Sequence, residues 1–487
     1  MPPLKDSSAF LDRSSVFKTY WHTTTNTGGT MEEFASTLNE VVQYVLSFDA
    51  TVMLPCVILV IALCFRIKPQ KAFRSALMAG IGFVGVFTIF NLMGSVVGPA
   101  AQAMVERTGL HMPAVDLGWT PLAAITWGTP IAPFAIVLTL VINLVMIAFK
   151  WTRTIDIDIW NYWHFAFAGC LVYVATGNFA LGLVGAGIAA VVIIKIADWS
   201  APLVQKHCNL PGVSLPTLSS AVFFPIGLLG NWLIDKIPGL NKLHADPETI
   251  QKRLGIFGES MMIGFFLGLM LGLLAGYDFN SLLKLAITLG AVMYILPRMT
   301  RILMDGLIPL SDGVREFMAK RFPDRTDFNI GLDIAVAIGN PAIISTGLLL
   351  TPIAVLLAFV VPGNRTLPVA DLANIAVFCS MIVVACNQNI VRAVIVAIPC
   401  LIGDLLICSA AAPLITQLAQ NVGYDTSASG SLVTAFLDGG NPFRYLIYQV
   451  FSGNYLAIGA AIAVGVLIAF TWKVTRRHAY DIAEAGE

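Results

Sequence analysis

Eleven apolar stretches, each of roughly the 20 residues a helix needs to cross a bilayer, constrain this chain more than anything else in it. They lie near 49–65, 75–97, 131–149, 159–177, 179–197, 257–276, 282–300, 343–361, 372–388, 390–409 and 454–472. Segments at 119–130, 217–234 and 331–342 are also apolar, but they are too short or too broken for crossings and read as re-entrant or interfacial pieces. The 487 residues are 57% apolar and only 12% charged. A soluble domain carries roughly 45–50% and 25%, so water is not the solvent for most of this surface. The balance excludes a disordered chain, a coiled coil and a nucleic-acid binder, which needs a basic face. The expected fold is an all-α polytopic membrane protein with about 11 transmembrane helices.

Small motifs exclude more. None of the eight cysteines forms a C-x-x-C pair, and the six histidines show no H-E-x-x-H pattern. There is no G-x-x-x-x-G-K-[ST] loop for a nucleotide phosphate, so neither cofactor nor metal is expected. Cys386 to Arg392 fits C-x5-R, but a phosphate cradle needs glycine and a preceding strand, and here a membrane span leads in. Residues 1–30 are polar with no apolar signal region. They read as a disordered leader, with Met31 as an alternative start.

Basic residues collect at Arg66–Lys71, Lys150 and Arg153, Lys236–Arg253, Arg315–Arg325 and Lys473–Arg477. Such loops stay cytoplasmic, which puts the N-terminus outside and the C-terminus inside. Three matches share an offset of 211 residues: Gly128-Thr129-Pro130 with Gly339-Asn340-Pro341, Leu92-Met93 with Leu303-Met304, and Asn178 with Asn389. At that offset a basic loop falls on an outward one, so the halves have opposite orientation. Inverted repeats with re-entrant hairpins belong to carriers that work by alternating access. The organisation expected is a leader (1–30), a first repeat (31–235), a cytoplasmic linker (236–256), a second repeat (257–430), and a last helix and tail (431–487).

In such folds the ligand sits where helices break near the midplane. The breaks here carry Thr129, Asn178, Asn340 and Asn387-Gln388-Asn389. Amides offer donors and acceptors without charge, which suits a neutral polyhydroxy ligand; the alternative is a turn at the membrane surface. His164 opens an apolar span in Trp160-Asn161-Tyr162-Trp163-His164, and Asn161 lies on its helix face. The alternative for this cluster is an aromatic interfacial belt. Among the acids, Asp333, just before the second tip, is the substrate-facing candidate. Asp404 and Glu259 read as helix-end charges, and Asp305 as an ion pair or cap.

Several segments resemble a known family. Pro99–Met104, Asp158–His164, Ile234–Gly239, Gly255–Glu259, Leu274–Asp278, Met304–Leu307 and Gly331–Asp333 are similar, in order, to the galactitol-type enzyme IIC of the bacterial phosphoenolpyruvate:sugar phosphotransferase system, related to the ascorbate permease. The resemblance runs from about Met31 to near Phe470. It implies a homodimeric permease of the bacterial cytoplasmic (inner) membrane whose core moves against a scaffold. Its partners would be membrane lipid, a polyol or sugar, and separate enzymes IIB and IIA, with IIB's phosphocysteine phosphorylating the substrate. The chain departs from the galactitol pattern at Asn340, Cys386-Asn387 and Tyr173-Val174, where the pattern has histidine. The resemblance therefore leaves the individual polyol or sugar open. The rival readings are an ion-coupled transporter of a small neutral solute and a membrane-embedded enzyme, which would need an acidic or metal motif.

Overall fold

A computed structural model of the chain describes residues 50–107, 112–156, 158–242, 245, 247, 259–321, 328–368, 370–424 and 432–484. The expected leader lies outside the described residues.

The described chain is predominantly helical. The first half runs α1 (Ala50–Cys64), α2 (Pro69–Glu106), β1 (Ala114–Asp116), α3 (Trp119–Trp127), α4 (Ile131–Ala148), β2 (Thr154–Asp156), α5 (Ile159–Thr176), α6 (Phe179–Cys208), β3 (Val213–Ser214), α7 (Leu218–Ala221) and α8 (Phe223–Lys236). The second runs α9 (Ser260–Ala275), α10 (Phe279–Arg321), β4 (Asn329–Gly331), a 3₁₀ turn (Ile334–Val336), α11 (Pro341–Val360), β5 (Thr366–Leu367), a 3₁₀ turn (Leu372–Asn374), α12 (Ile375–Ala385), α13 (Ile390–Asn421), β6 (Leu432–Thr434), α14 (Phe436–Gly439) and α15 (Pro442–Phe451). The helix α16 (Tyr455–Glu484) follows.

Among the described residues, six helical segments are long and apolar enough to cross a membrane: Ile131–Ala148, Phe179–Cys208, Leu218–Lys236, Pro341–Val360, Ile390–Asn421 and Tyr455–Thr475. Each of the eleven expected stretches overlaps a helix, but several of these helices are too short or too polar to meet that standard. One of the six corrects the sequence reading. Residues 217–234 looked too broken to cross, yet α7 and α8 follow one another with only Val222 between them. Pro225 falls in the first turn of α8, where a missing N–H breaks no helical bond.

Many apolar side chains face outward. Val137, Leu140, Val141 and Leu144 of α4 are exposed, as are Leu456, Ile462 and Val466 of α16. Such a surface is stable against lipid and would associate in water. In contrast, α5 is buried at every residue from Asn161 to Val172, as expected of a core helix with no polar face. Where helices meet, small residues let backbones approach. A Cβ on Gly268 of α9 would stand 2.5 Å from the Cα of Ala286 on α10.

Local chemistry sets the helix ends. Asp158 caps α5, Asn178 caps α6, Asn340 caps α11, Asn389 caps α13 and Asn441 caps α15, each accepting a backbone N–H of the first turn. Pro341 and Pro442 sit at the opening positions of their helices, where proline is tolerated. At the other end of α5, Gly177 takes φ 68° and returns its N–H to the Tyr173 carbonyl.

The expectation of an all-helical chain missed six short strands among the described residues. They form two parallel sheets, ordered β5-β1-β6 and β2-β4-β3. Ala114 pairs with both Thr366 and Leu432, and Ile330 pairs with both Ile155 and Val213. Each sheet thus takes its central strand from one half and its edge strands from the other. Strands of two or three residues are too short to leave a periodic signature.

Candidate functional site

Broken backbone deep in a membrane protein needs partners for its N–H groups, and here buried carboxylates supply them. Asp116, at the end of β1, accepts from the N–H groups of Gly118 (3.1 Å), Phe436 (3.0 Å), Ala370 (3.0 Å) and Asp371 (3.0 Å). Asp371 accepts from the Trp119 and Leu437 N–H groups and from Asn374 Nδ2, each at 3.1 Å. The other sheet repeats the device. Asp158 accepts from the N–H groups of Trp160 (3.1 Å) and Asp333 (2.9 Å), and Asp156 accepts from Asn161 Nδ2 (2.9 Å).

Burial pushes these carboxyls up. Asp116 rises to about 6 against the pull of its four N–H donors, and Asp158 to about 7, with the Asp333 charge adding to burial. Asp333 is also raised by burial.

A cavity of about 90 Å³ opens between these strand ends. Trp119, Trp160 and Trp163 form aromatic walls, and His164, Thr217, Ser219, Asp333, Asn374 and Asp438 supply polar groups. Trp119 and Trp160 meet edge to face with centroids 6.3 Å apart. Flat apolar faces beside a few placed donors and acceptors are the usual make-up of a small-molecule site. A carboxylate accepts from hydroxyls, an imidazole N–H donates to them, and a threonine or serine hydroxyl does both.

Two predicted residues, His164 and Asp333, line this cavity. Asn161 is buried in its wall. Its Nδ2 bonds Asp156, and its Oδ1 accepts from Thr217 Oγ1 at 2.9 Å. Thr217 Oγ1 also stands 3.2 Å from Asp333 Oδ2 and accepts the Ile334 N–H at 2.8 Å. The sequence pattern that put Asn161 and His164 on one helix face holds, but only His164 reaches the cavity.

The other candidates sit at the helix breaks, away from these walls. Thr129 is buried, donates to the Thr126 carbonyl and meets Cys170 Sγ at 3.1 Å. Asn178 is exposed and caps α6. Asn340, Asn387 and Gln388 gather around His207 at the end of α6. Asn340 Nδ2 and Gln388 Nε2 both donate to the His207 carbonyl, at 2.9 and 2.8 Å, and Asn387 Oδ1 lies 3.1 Å from His207 Nε2. Asn387 and Gln388 take φ 53° and 61°, a left-handed pair that costs non-glycine residues energy. Asn389 caps α13. Asp305 is exposed on α10, and Glu259 precedes α9 without a side-chain capping bond. The reading of Asp404 as a helix-end charge is overturned. The apolar run near 390–409 continues as helix to Asn421, so Asp404 lies buried inside α13. Its Oδ2 has no partner among the described residues.

The sequence reading missed Arg444 and Asp438. Arg444 is fully buried and bonds Asp438 Oδ1 at 2.7 Å and His164 Nδ1 at 2.8 Å. Its guanidinium lies 5.2 Å from the Phe167 ring centroid and 5.8 Å from that of Trp163. Burial would raise the Asp438 carboxyl, but Arg444 and His164 outweigh it and hold Asp438 below its ordinary value. One signal could have led to this region. Asp158-x-x-Asn161 recurs as Asp371-x-x-Asn374, an offset of 213 rather than 211.

Comparison with known proteins gives the family. A family model described as the PTS system sugar-specific permease component, EIIC-GAT, matches residues 44–429. The chain belongs to this family. Across 442 residues it is 37% identical to the galactitol-specific EIIC component of the PTS from Escherichia coli K12, covering 90% of this chain and 97% of the relative. The same identity and coverage hold for the galactitol-specific EIIC component of Escherichia coli O157:H7. An EIIC protein is a membrane permease component that works with the other components of its phosphotransferase system and with a sugar.

Proposed function

We propose that this chain is the permease subunit of a phosphotransferase system for galactitol or a related polyol or sugar. The reading rests on the cavity that His164, Asp333 and three tryptophans line between the strand ends. The substrate enters this cavity with its hydroxyls against His164, Asp333 and Thr217 and its C–H surface against the indoles. Asn161 holds Thr217 in place and so takes part indirectly. Thr129, Asn178, Asn340, Asn387, Gln388 and Asn389 form the hairpin tips that flank the site.

The exchange of strands between halves supports a two-repeat organisation, which we take as 31–235 and 257–430, with β6 just beyond the second repeat. We take the repeats as inverted in a membrane crossed about 11 times. Alternating access then follows from movement of the hairpins against the long helices α2 and α10. With its basic loops cytoplasmic, the chain keeps its C-terminus in the bacterial cytoplasm and its N-terminus outside. A separate IIB, recharged by IIA, phosphorylates the substrate at the cytoplasmic face, and the permease works as a homodimer.

A second reading, an ion-coupled carrier, has one observation in its favour: the buried Asp404 Oδ2, which has no partner among the described residues. Uptake of labelled galactitol in cells with and without the cognate IIB separates the two. Group translocation delivers phosphorylated galactitol and needs IIB. Accumulation of unmodified galactitol that collapses with the ion gradient would overturn it.

A further inference from the structure

We propose that Arg444 fixes His164 in its Nε2–H tautomer, which makes His164 a permanent hydrogen-bond donor to the substrate and so a specificity-determining residue. The inference rests on the cavity being the substrate site, and it adds which atom of His164 faces the ligand and why.

The donor sets decide it. A guanidinium has five N–H groups and no lone pair to offer. Arg444 Nη2 lies 2.8 Å from His164 Nδ1, so Nδ1 must be the acceptor and keep its lone pair. Asp438 Oδ1 also lies 3.4 Å from Nδ1, a contact that would favour a proton there. It is longer than the arginine bond, and Asp438 Oδ1 already accepts from Arg444 Nη1 at 2.7 Å. The guanidinium therefore bridges two acceptors, the imidazole and the carboxylate. A neutral imidazole carries one proton, and here it sits on Nε2. The polar contacts of the ring among the described residues are both at Nδ1, and the ring lines the cavity, which leaves Nε2 for a ligand.

The bridge is held from several sides. Arg444 Nη1 also donates to the Asp438 carbonyl at 3.0 Å, and Nε to the His164 carbonyl at 3.4 Å. Trp163 stacks on His164 with centroids 4.1 Å apart, which fixes the ring's tilt. The planar fork matters, because lysine offers a point charge that cannot reach both acceptors in this geometry. Across the cavity Asp333 presents an acceptor. A hydroxyl that accepts from His164 and donates to Asp333 satisfies both, whereas an ether or a hydrogen at that carbon cannot.

The test has two arms, so that the tautomer and the substrate reading fail separately. Nitrogen-15 NMR of histidine-labelled, substrate-free protein in nanodiscs reads the tautomer directly, with the His164 signals assigned by their loss in His164→Gln. The expected spectrum has Nε2 protonated and Nδ1 unprotonated, and Arg444→Lys populates the other tautomer. A protonated Nδ1 in the wild type would overturn the proposal. Equilibrium binding of labelled galactitol forms the second arm. His164→Gln, whose amide N–H takes the place of Nε2–H, keeps affinity within about threefold, while His164→Asn and Arg444→Lys lose about tenfold or more. Thermal unfolding confirms that each variant folds. Equal losses in His164→Gln and His164→Asn refute the donor role. Failure of galactitol to bind the wild type refutes the substrate reading and the donor role with it, and the NMR arm still decides the tautomer.

Discussion

Replacing Asp116 by alanine should separate the strands that frame the cavity. The carboxylate is buried and accepts four backbone N–H groups at 3.0–3.1 Å, from the loop after β1, from the approach to α12 and from the start of α14. Three of these donors lie on chain segments about 250 and 320 residues away in sequence, and no helix can satisfy them instead. A buried donor left without a partner costs about 1–3 kcal/mol. Four at the low end cost about 4 kcal/mol, a large share of the roughly 5–15 kcal/mol that holds a typical domain folded. Asp116→Asn keeps one oxygen for two donors but turns an NH₂ group toward the other two, so its expected cost is about 2 kcal/mol plus the repulsion. The buried thiols of Cys379 and Cys408 give the assay. A thiol-reactive dye reports their exposure during denaturant unfolding in detergent, with Cys56 and Cys64, exposed in the folded chain, as the baseline. The expected order of stability is wild type, then Asp116→Asn, then Asp116→Ala. An alanine variant within 1 kcal/mol of wild type would refute the view that this carboxylate ties the halves together.

Asp158→Asn keeps the cap on α5 and removes a charge whose pKa burial raises to about 7. A raised carboxyl favours the folded state below its ordinary value and withdraws that stability as pH climbs through about 7. The wild type should therefore lose a few kcal/mol across this window, and the variant's unfolding midpoint should be flatter with pH; an unchanged slope would contradict it. Gly177→Ala meets no atom within 4 Å, so its φ of 68° alone sets the cost, about 1 kcal/mol, read in the same unfolding assay. Asn340→Ala removes the α11 cap and the bond to His207, with an expected loss of about 1–2 kcal/mol. Galactitol affinity should stay within about twofold; a tenfold loss would bring that helix end into the binding site.

The helix breaks were legible because their chemistry is local. A cap is an asparagine or aspartate reaching two or three residues ahead, so Asn178, Asn340 and Asn389 announce themselves in the sequence. His164 and Asp333 could be named because polar groups at the edges of apolar runs are rare. The matches at an offset of 211 are equally local, while Asp158-x-x-Asn161 recurs as Asp371-x-x-Asn374 at 213.

The sequence alone determined the solvent of this protein. Apolar runs of helical length and a charge fraction of 12% leave lipid as the only stable surroundings, since burial depends on composition and local period. Only the tertiary structure decided the site. It crosses strands between halves, turns Asp116 and Asp371 into acceptors for distant backbone, and sets Arg444 against His164 across 280 residues of chain. Pairings of that span follow from how helices pack and strands exchange, and a buried arginine carries no local mark of the histidine it will meet.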